Sequence, residues 1–464
     1  MSATPHPYMA NSVAEIKQEM LDAIGSESID ELFAQIPARH RLRGPLELPP
    51  ALVAEVELSR HLRDALARNE TCEENLSFLG AGCWQHHVPA VCDEVVRRSE
   101  FVTPVWGTPA SDYGRNQVWF EFCSQLGELL ELDFVGLPVY SWGCAAGHAI
   151  RMASRLTGRQ RVLVPRTLGP ERLAVIRTFC EPTATTSHIE VALVDYDSAT
   201  GFLDLDDLDT KLDGDVAAVY VETPTYLGQI EAGIAEAFDL AHEHGAEAIA
   251  GVDPISLGVL SAPGAYGADI AVGSVQPLGV HMSCGGGVGG FIASRDEERY
   301  AREYPTLNLS LTDTISPGER GYTIALFQQT SYGSREEGND WTGNSTYLWS
   351  IAAAAYMSLL GPQGFYELGE LIVQRSHYAA SLLDELDGVR VHWPQGFFKE
   401  FVVTFERASV ADVNRSLRGH GIFGGKDLSG AFPELGQSAL YCVTEVHTAA
   451  DVERLARAVA EVLA

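Results

Sequence analysis

The chain has 464 residues, of which 46% are hydrophobic, and its 63 acidic and 32 basic side chains give a formal net charge of −31. So many apolar residues can build a sizeable buried core, which excludes a disordered chain. The acidity argues against nucleic acids and anionic membranes as partners, because phosphate groups are bound mainly through Lys and Arg. We interpret the charge as a source of solubility, and adaptation to a salt-rich environment would give the same balance.

The cysteines and the first residues bear on location. No two of the eight cysteines form a Cys-x-x-Cys pair or a metal-ligand spacing, so we interpret them as reduced thiols. The start of the chain has neither the basic region nor the apolar core of a signal peptide, and no apolar run approaches the roughly 18 residues of a membrane span. The sequence therefore predicts a cytoplasmic protein without a metal centre.

Residues 1–75 are predicted to form an N-terminal arm. Short helical patterns alternate with proline breaks, as in I-D-E-L-F-A-Q-I-P from Ile29 and in the P-L-E-L-P-P stretch that ends at Pro50. This apolar periodicity is too short to build a core of its own. We expect the arm to lie over the main body or over a partner.

Residues 76–360 are predicted to form a large α/β domain, because strand-like apolar runs alternate there with amphipathic helix patterns. Connections of this length favour a mostly parallel sheet with right-handed crossovers. The predicted strands are Arg161–Val164, Ile189–Val194, Val216–Val221, Glu247–Val252, Asp269–Val272 and Val288–Ala293. The predicted helices between them are Pro170–Phe179 and Ile234–His244, the second ended by Gly245.

Residues 361–464 are predicted to form a small C-terminal α/β domain. Its predicted elements are a long helix at Gly364–Leu386, strands at Val389–His392 and Glu400–Phe405, and helices at Val410–Gly419 and Ala449–Leu463.

One pair of strands carries the main clue to function. In pyridoxal-phosphate (PLP) enzymes of fold type I, an Asp after a buried strand pairs with the pyridine nitrogen, and a Lys roughly 20 to 25 residues later forms the Schiff base. Asp253 fits the first position, whereas Gln276 occupies the second. An amide nitrogen does not condense with an aldehyde. Of the four lysines, Lys17, Lys211, Lys399 and Lys426, none stands at that position.

Long stretches of the chain carry a resemblance to a known family. They include M-L-D-A-I-G-S-E-S-I-D-E-L-F from Met20, F-L-G-A-G-C-W-Q-H-H-V-P-A-V from Phe78, D-P-I-S-L-G-V-L-S-A-P-G-A-Y-G-A-D-I-A-V-G from Asp253, F-F-K-E-F from Phe397 and V-T-E-V-H from Val443. With these segments the chain resembles subunit 1, the amino-terminal half, of glycine decarboxylase, the P-protein of the glycine cleavage system.

The resemblance implies a fold-type-I, aminotransferase-like large domain, and a subunit that lacks its own Schiff-base lysine. It implies that a homologous, lysine-bearing subunit 2 carries PLP covalently, and that the pair decarboxylates glycine and passes the aminomethyl group to a lipoyl carrier (H) protein. The present chain would complete the active site of that partner.

Several loops depart from the family pattern and supply most of the candidates for a substrate pocket, whereas His87 lies in the stretch from Phe78 that the family shares. The segment from Val102 to Arg115 combines an aromatic wall with polar groups, which suits recognition of a small substrate. The candidate pocket residues are Trp106, Ser111, Asp112, Tyr113, His87 and Arg335. Arg335 suits a carboxylate as well as a surface salt bridge, and a histidine pair such as His86-His87 is usually structural or at the surface.

Three residues are candidates for contact with a cofactor. Asp253 suits a pyridinium partner and also a turn former or helix cap. Trp142 and His148 lie at the start of a predicted helix, where free N–H groups attract a phosphate, and in a subunit without cofactor the same residues would simply pack. Gln276 itself is interpreted as a structural hydrogen-bonding residue.

Three functions remain open from the sequence. The first is the lysine-less subunit of glycine decarboxylase. The second is a paralogous subunit of a PLP enzyme that acts on a different amino acid or imine in specialised metabolism, because the framework is kept while the loops change. The third is a non-catalytic scaffold for a PLP enzyme.

Overall fold

A computed structural model describes residues 5–42, 44, 46–102, 109–183, 187–283, 288–325, 334–335, 338–342 and 345–464, with backbone only for 109–113. The chain divides into two compact units, Met1–Glu70 and Thr71–Ala464.

The first unit consists of short helices with little interior of its own. Its α-helices are α1 (Ala14–Ile24), α2 (Ile29–Leu32) and α3 (Glu55–Leu66). Ser28 caps α2 by accepting from the backbone N–H of Glu31, and α1 ends at Gly25 with a left-handed φ of 68°. Leu21 is its one buried apolar side chain among the described residues, and most of the large exposed apolar side chains of the described chain belong to this unit.

A seven-stranded sheet is the centre of the second unit. Its order is β2-β8-β7-β6-β5-β3-β4, with parallel pairs from β7 through β4 and antiparallel pairs at β8 and β2. The strands are β2 (Phe134–Val135), β3 (Arg161–Pro165), β4 (Glu190–Val194), β5 (Val216–Thr223), β6 (Glu247–Val252), β7 (Ile270–Ser274) and β8 (Gly290–Ser294). The strands β5 to β8 are buried at every position, which explains why their apolar runs do not alternate with polar residues.

Helices cover this sheet. They are α4 (Ala90–Val96), α5 (Pro109–Leu130), α6 (Trp142–Thr157), α7 (Pro170–Cys180), α8 (Leu205–Lys211), α9 (Ile234–Glu243) and α10 (Glu298–Ala301). The six predicted strands and the two predicted helices of this region are confirmed, with ends that differ by up to two residues. Gly245 has the left-handed φ of 68° that its place after α9 predicts. The sequence reasoning missed an antiparallel hairpin of β9 (Asn308–Asp313) and β10 (Arg320–Ala325), which is partly exposed and contributes little to the core.

A four-stranded antiparallel sheet follows, in the order β11-β12-β15-β14. Its strands are β11 (Val389–Val391), β12 (Glu400–Phe405), β14 (Lys426–Asp427) and β15 (Ser438–Cys442). The helices α12 (Val410–Gly419) and α13 (Ala449–Leu463) lie on it as predicted, the second with a capping box of Thr448 and Asp451. A short parallel pair joins β1 (Leu76–Ser77) to β13 (Ile422–Phe423).

The helix before this sheet is longer than predicted. It runs as α11 over Tyr347–Asp384 instead of Gly364–Leu386, and it breaks at Gly361, whose φ of 57° and ψ of −179° precede Pro362. Proline disfavours helical backbone in the residue before it, so two helical segments meet at this point. The domain boundary that we place between residues 360 and 361 stays a prediction.

Candidate functional site

The cleft lies at the carboxyl edge of the seven-stranded sheet, where open α/β proteins bind their ligands. Asp253 comes directly after β6, and Gln276 comes two residues after the neighbouring parallel strand β7. Both residues are buried, with 3% and 2% of their whole surface exposed. The chain thus brings the two sequence-predicted positions to one edge of the sheet.

The amide of Gln276 is fully engaged by neighbouring backbone. Its Nε2 donates to the carbonyl oxygens of Trp84 and Val280, each at 3.2 Å. Its Oε1 accepts from the backbone N–H of Trp84 at 3.4 Å. Gln276 therefore fixes the segment that carries Trp84 against the end of β7, which agrees with the structural role expected from the sequence.

A buried lysine occupies the space in front of Asp253. Lys399, just before β12, is 3% exposed, and its Nζ lies 2.7 Å from Oδ2 of Asp253. The same nitrogen lies 3.5 Å from the centre of the Trp84 ring and 3.0 Å from Nε2 of His86. An ammonium over an aromatic face gains cation–π energy, which grows when water is excluded.

His86 links this lysine to a second carboxylate. Lysine only donates, so Nε2 of His86 accepts from Lys399 and the proton sits on Nδ1, which lies 2.8 Å from Oε2 of Glu445. The backbone N–H of His87 donates to the other oxygen of Glu445 at 2.6 Å. Burial alone would raise the pKa of Glu445, but the interaction with His86 and the hydrogen bonds lower that pKa to about 2.

Glu400 lies next to the lysine, and its pKa is shifted in the opposite direction from the pKa of Glu445. Burial raises its pKa to about 7, although the hydrogen bond from the backbone N–H of Ala81, at 2.5 Å, and the charge of Lys399 offset part of this effect. The fit is close, because a Cβ at Gly80 would come within 2.2 Å of Oε1 of Glu400, and one at Gly228 (φ 95°) within 1.9 Å of its carbonyl oxygen. Only glycine is accommodated at these two positions.

A second cation and a second tryptophan form the other wall. The guanidinium of Arg172 lies 3.7 Å from the centre of the Trp142 ring, and its Nη1 donates to both carboxylate oxygens of Glu222, at 2.6 and 2.5 Å. The Trp142 indole N–H donates to the hydroxyl of Tyr220, which in turn donates to Glu222. Arg172 and Glu222 are thus neutralised within the cleft.

These side chains leave little free space. The cavity between Trp84, Trp142, Arg172 and Lys399 holds about 20 Å³, enough for one or two water molecules. A neighbouring cavity of about 160 Å³ opens beside Ser141, whose hydroxyl caps α6 by accepting from the backbone N–H of Cys144.

The other sequence-predicted site residues are dispersed. His148 is buried on α6 against Phe179, away from Asp253, and burial lowers its pKa to about 4. The side chain of His87 is exposed, so His86 and not His87 reaches the cleft. Arg335 has a left-handed backbone, with a φ of 49°. Trp106 lies outside the described residues, and Ser111, Asp112 and Tyr113 are placed only as backbone at the start of α5.

Sequence reasoning missed most of the charged cleft, namely Lys399, Glu400, Glu445, Arg172, Glu222 and Trp84. A signal was present, because F-F-K-E-F holds a lysine and a glutamate inside an apolar strand pattern. Charged residues are almost never fully buried unless they are paired, so this segment predicts a buried ion pair. The pattern does not identify the partner of the lysine, because Asp253 is distant in sequence.

The comparisons with known proteins agree with this geometry. The family described as glycine cleavage system P-protein matches residues 7–458. The chain belongs to this family. It is 35% identical to a probable glycine dehydrogenase (decarboxylating) subunit 1 of Staphylothermus marinus, over 99% of this chain and 98% of the relative. It is 37% identical to the protein of the same description from Aeropyrum pernix, over 99% of both chains.

Solved structures place the fold of this P-protein family member. A crystal structure of glycine decarboxylase (P-protein) in an inhibitor-bound form has a TM-score of 0.86 and 32% identity, over 100% of both chains. A sphingosine-1-phosphate lyase of Burkholderia pseudomallei has a TM-score of 0.65 at 17% identity, over 92% of this chain and 94% of that one, and it supports the fold alone. The predicted fold-type-I architecture of PLP enzymes, with a mostly parallel sheet, is confirmed.

The residues of the cleft do not fit PLP itself. The cavity in front of Asp253 has room for water but not for a substituted pyridine ring with a phosphate arm. The Asp253 carboxylate that would pair with the ring nitrogen is paired with Lys399, and the position of the Schiff-base amine holds an amide that is bonded to backbone. No chemical step is therefore assigned to this cleft.

Within the described ranges, no three His, Cys, Asp or Glu side chains group closely enough to hold a metal ion. None of the helices in the described part of the chain is both long and apolar enough to cross a bilayer.

Proposed function

We propose that this chain is subunit 1 of a two-subunit glycine decarboxylase, in which a homologous, lysine-bearing subunit 2 carries PLP. The main observation behind this proposal is Gln276, which occupies the position expected for the Schiff-base lysine. Its side-chain oxygen and its side-chain nitrogen are both hydrogen-bonded to backbone groups. Family membership over nearly the whole chain and the subunit 1 names of the relatives support the proposal.

The first unit supports the need for a partner. Apolar side chains such as Tyr8, Val53 and Leu48 are 92%, 90% and 72% exposed. Contiguous exposed apolar surface marks sites of protein association. We assign this surface to the contact with subunit 2, so that the arm is covered only in the assembled enzyme.

The chemical role of this chain follows from the cleft and the variable loop. Its own cleft is filled and neutralised, so the chain holds the partner and contributes residues to the partner's pocket. Trp106, Ser111, Asp112 and Tyr113 remain the proposed contacts with substrate or with the lipoyl arm of the carrier protein, and three of them stand at the start of α5. Arg335 remains the proposed carboxylate contact.

Exchange of labelled bicarbonate into glycine tests the function directly. This chain and a lysine-bearing homologue are assayed alone and together, with lipoyl carrier protein present. We expect exchange only with the pair. Alanine at Trp106 or Asp112 lowers the exchange rate, and alanine at the exposed Arg415 of α12 is the matched control.

A second assay locates the cofactor. The pair is reduced with borohydride and digested, and the pyridoxylated peptide is identified by mass spectrometry. We expect it on subunit 2 alone. Pyridoxyl on this chain overturns the proposal, and a pair that binds PLP without glycine exchange shifts the function to a different amino acid.

The free thiols of the described cysteines support a reducing compartment, and we propose that the complex works in the cytoplasm. Fractionation of source cells with an antibody against the chain tests this location.

A further inference from the structure

We infer that Lys399 is a built-in substitute for the cofactor's pyridinium, and that it keeps PLP out of this subunit. This inference deepens the proposed function, because it gives a physical reason why the cofactor belongs to the partner. It concerns a buried lysine to which neither the family resemblance nor the comparisons assign a role.

The burial of Lys399 requires compensation that the cleft supplies. A long lysine side chain ordinarily reaches toward water, yet here 3% of the residue is exposed. The ammonium meets a carboxylate at 2.7 Å, an imidazole nitrogen at 3.0 Å and the face of Trp84 at 3.5 Å. Each of these groups stabilises a cation, so the surroundings form a site built for a positive nitrogen.

The groups around the Lys399 ammonium are also the kind that would bind a pyridinium ring. In PLP enzymes an acid pairs with the protonated ring nitrogen. The ammonium of Lys399 offers Asp253 a positive nitrogen at 2.7 Å, the separation of a close ion pair. Because one volume beside the Asp253 carboxylate cannot hold both nitrogens, the lysine excludes the ring while it stays in place.

Lys399 is not a displaced Schiff-base lysine. The aldehyde carbon of PLP stands on the opposite side of the ring from its nitrogen. An amine that touches the ring-nitrogen partner therefore lies at the wrong end of the ring. The geometry points to substitution of the ring and not to an alternative anchor.

The orientation of Lys399 is set from the other side by Glu445 through His86. Glu445 holds the Nδ1 proton of His86, which leaves Nε2 to accept from the ammonium. Trp84 is in turn fixed by Gln276. The residue that replaces the Schiff-base lysine thus holds the aromatic face on which the substitute cation rests.

Removal of the lysine side chain tests the inference through ligand binding. Lys399→Ala leaves a cavity that faces Asp253 and Trp84, and the probe is pyridine, with neutral benzene as the comparison. We expect pyridine to raise the Tm of Lys399→Ala by about 3 °C, and to leave the wild type and the Lys399→Ala/Asp253→Asn double variant unchanged. Lys17→Ala, an exposed lysine elsewhere, is the matched control and should behave as wild type.

A pyridine effect of equal size in the wild type and in Lys399→Ala overturns the inference, and so does an equal effect of benzene and pyridine on Lys399→Ala. If Lys399→Ala does not fold, acetic anhydride labelling of lysines in the wild-type chain tests whether PLP enters the site of Lys399. We expect Lys399 to stay unlabelled with and without PLP while Lys17 is labelled, and equilibrium dialysis to show no bound PLP. Labelling of Lys399 that PLP suppresses contradicts the inference.

Neither readout depends on glycine turnover. A pair that fails glycine–bicarbonate exchange would therefore overturn the proposed function and leave the pyridine result intact.

Discussion

The two edges of the large sheet carry similar ion pairs in different surroundings. At the carboxyl edge, Lys399 and Asp253 are 3% and 4% exposed. At the amino edge, Asp269 pairs with Arg295 and His242, and Glu247 pairs with Arg299, whose side chain is 45% exposed. The charged side chains are paired at both edges, but only at the carboxyl edge are both members of a pair buried.

The difference separates a structural ion pair from a functional one. Desolvation of two buried ions costs several kcal/mol per ion, so apolar residues would stabilise such a position at least as well. A buried pair at the ligand-binding edge of an α/β sheet is thus weak evidence for stability and stronger evidence for function.

Loss of the cation alone should have the largest effect. Lys399→Met leaves the Asp253 carboxylate buried and unpaired, and we expect the free energy of unfolding to fall by about 3–5 kcal/mol. The double variant Lys399→Met/Asp253→Asn removes both charges and should recover most of this loss. Urea unfolding of the three proteins measures both effects. If the double variant were no more stable than the single variant, the loss would not come from leaving the Asp253 carboxylate unpaired.

Glu445 should make the protein sensitive to acid. Its pKa of about 2 lies below the ordinary value of 4.5, so its contribution is fully present above pH 4.5 and is lost as pH falls toward 2. Glu445→Gln should lower the free energy of unfolding at pH 7 by on the order of 3 kcal/mol. It should also flatten the acid limb of the stability curve. An unchanged acid limb in urea titrations between pH 2 and 5 would rule out this role.

Glu400 should change the pH dependence of stability in the opposite direction from Glu445. Its pKa of about 7 lies above 4.5, so its contribution is present below pH 4.5 and is lost as pH rises through 7. Glu400→Gln should remove this loss and raise the free energy of unfolding at pH 8 by about 2 kcal/mol. Thermal unfolding from pH 5 to 8 measures the slope. Equal slopes for wild type and variant would show that Glu400 does not titrate in this range.

Arg295→Ala, at the amino edge, should have the smallest effect. Arg295 is 44% exposed, and Asp269 keeps both His242 and the backbone N–H of Ala248 as partners. We expect a loss of less than about 1 kcal/mol, smaller still in salt. A loss as large as that of Lys399→Met would erase the distinction between the two edges.

The sequence predicts the framework better than the cleft. The strands β3 to β8 are continuous apolar runs, and α12 and α13 begin at capping residues, so local rules suffice for them. Asp253 and Gln276 were found because their spacing along two neighbouring strands has a known meaning. The contacts among Lys399, His86 and Glu445 were not predicted, because they join segments far apart in the chain and such pairings leave no local pattern.

The break in α11 shows a similar limit. The residues on both sides of Gly361 favour a helix, and the structure continues the helix through a kink at this glycine. In the candidate pocket loop that begins at Val102, Trp106 and the side chains of Ser111, Asp112 and Tyr113 lie outside the described part of the structure, and their roles stay predictions.

The bond between Ala81 and Glu400 joins residues 319 positions apart, and β1 pairs with β13 near the end of the chain. During synthesis on the ribosome, every strand of the large sheet is translated before Lys399. Asp253 then stands without its counter-ion, at the edge that would otherwise admit a cofactor. The nascent chain therefore passes through an interval in which this carboxylate lacks the ion pair that it has in the folded chain.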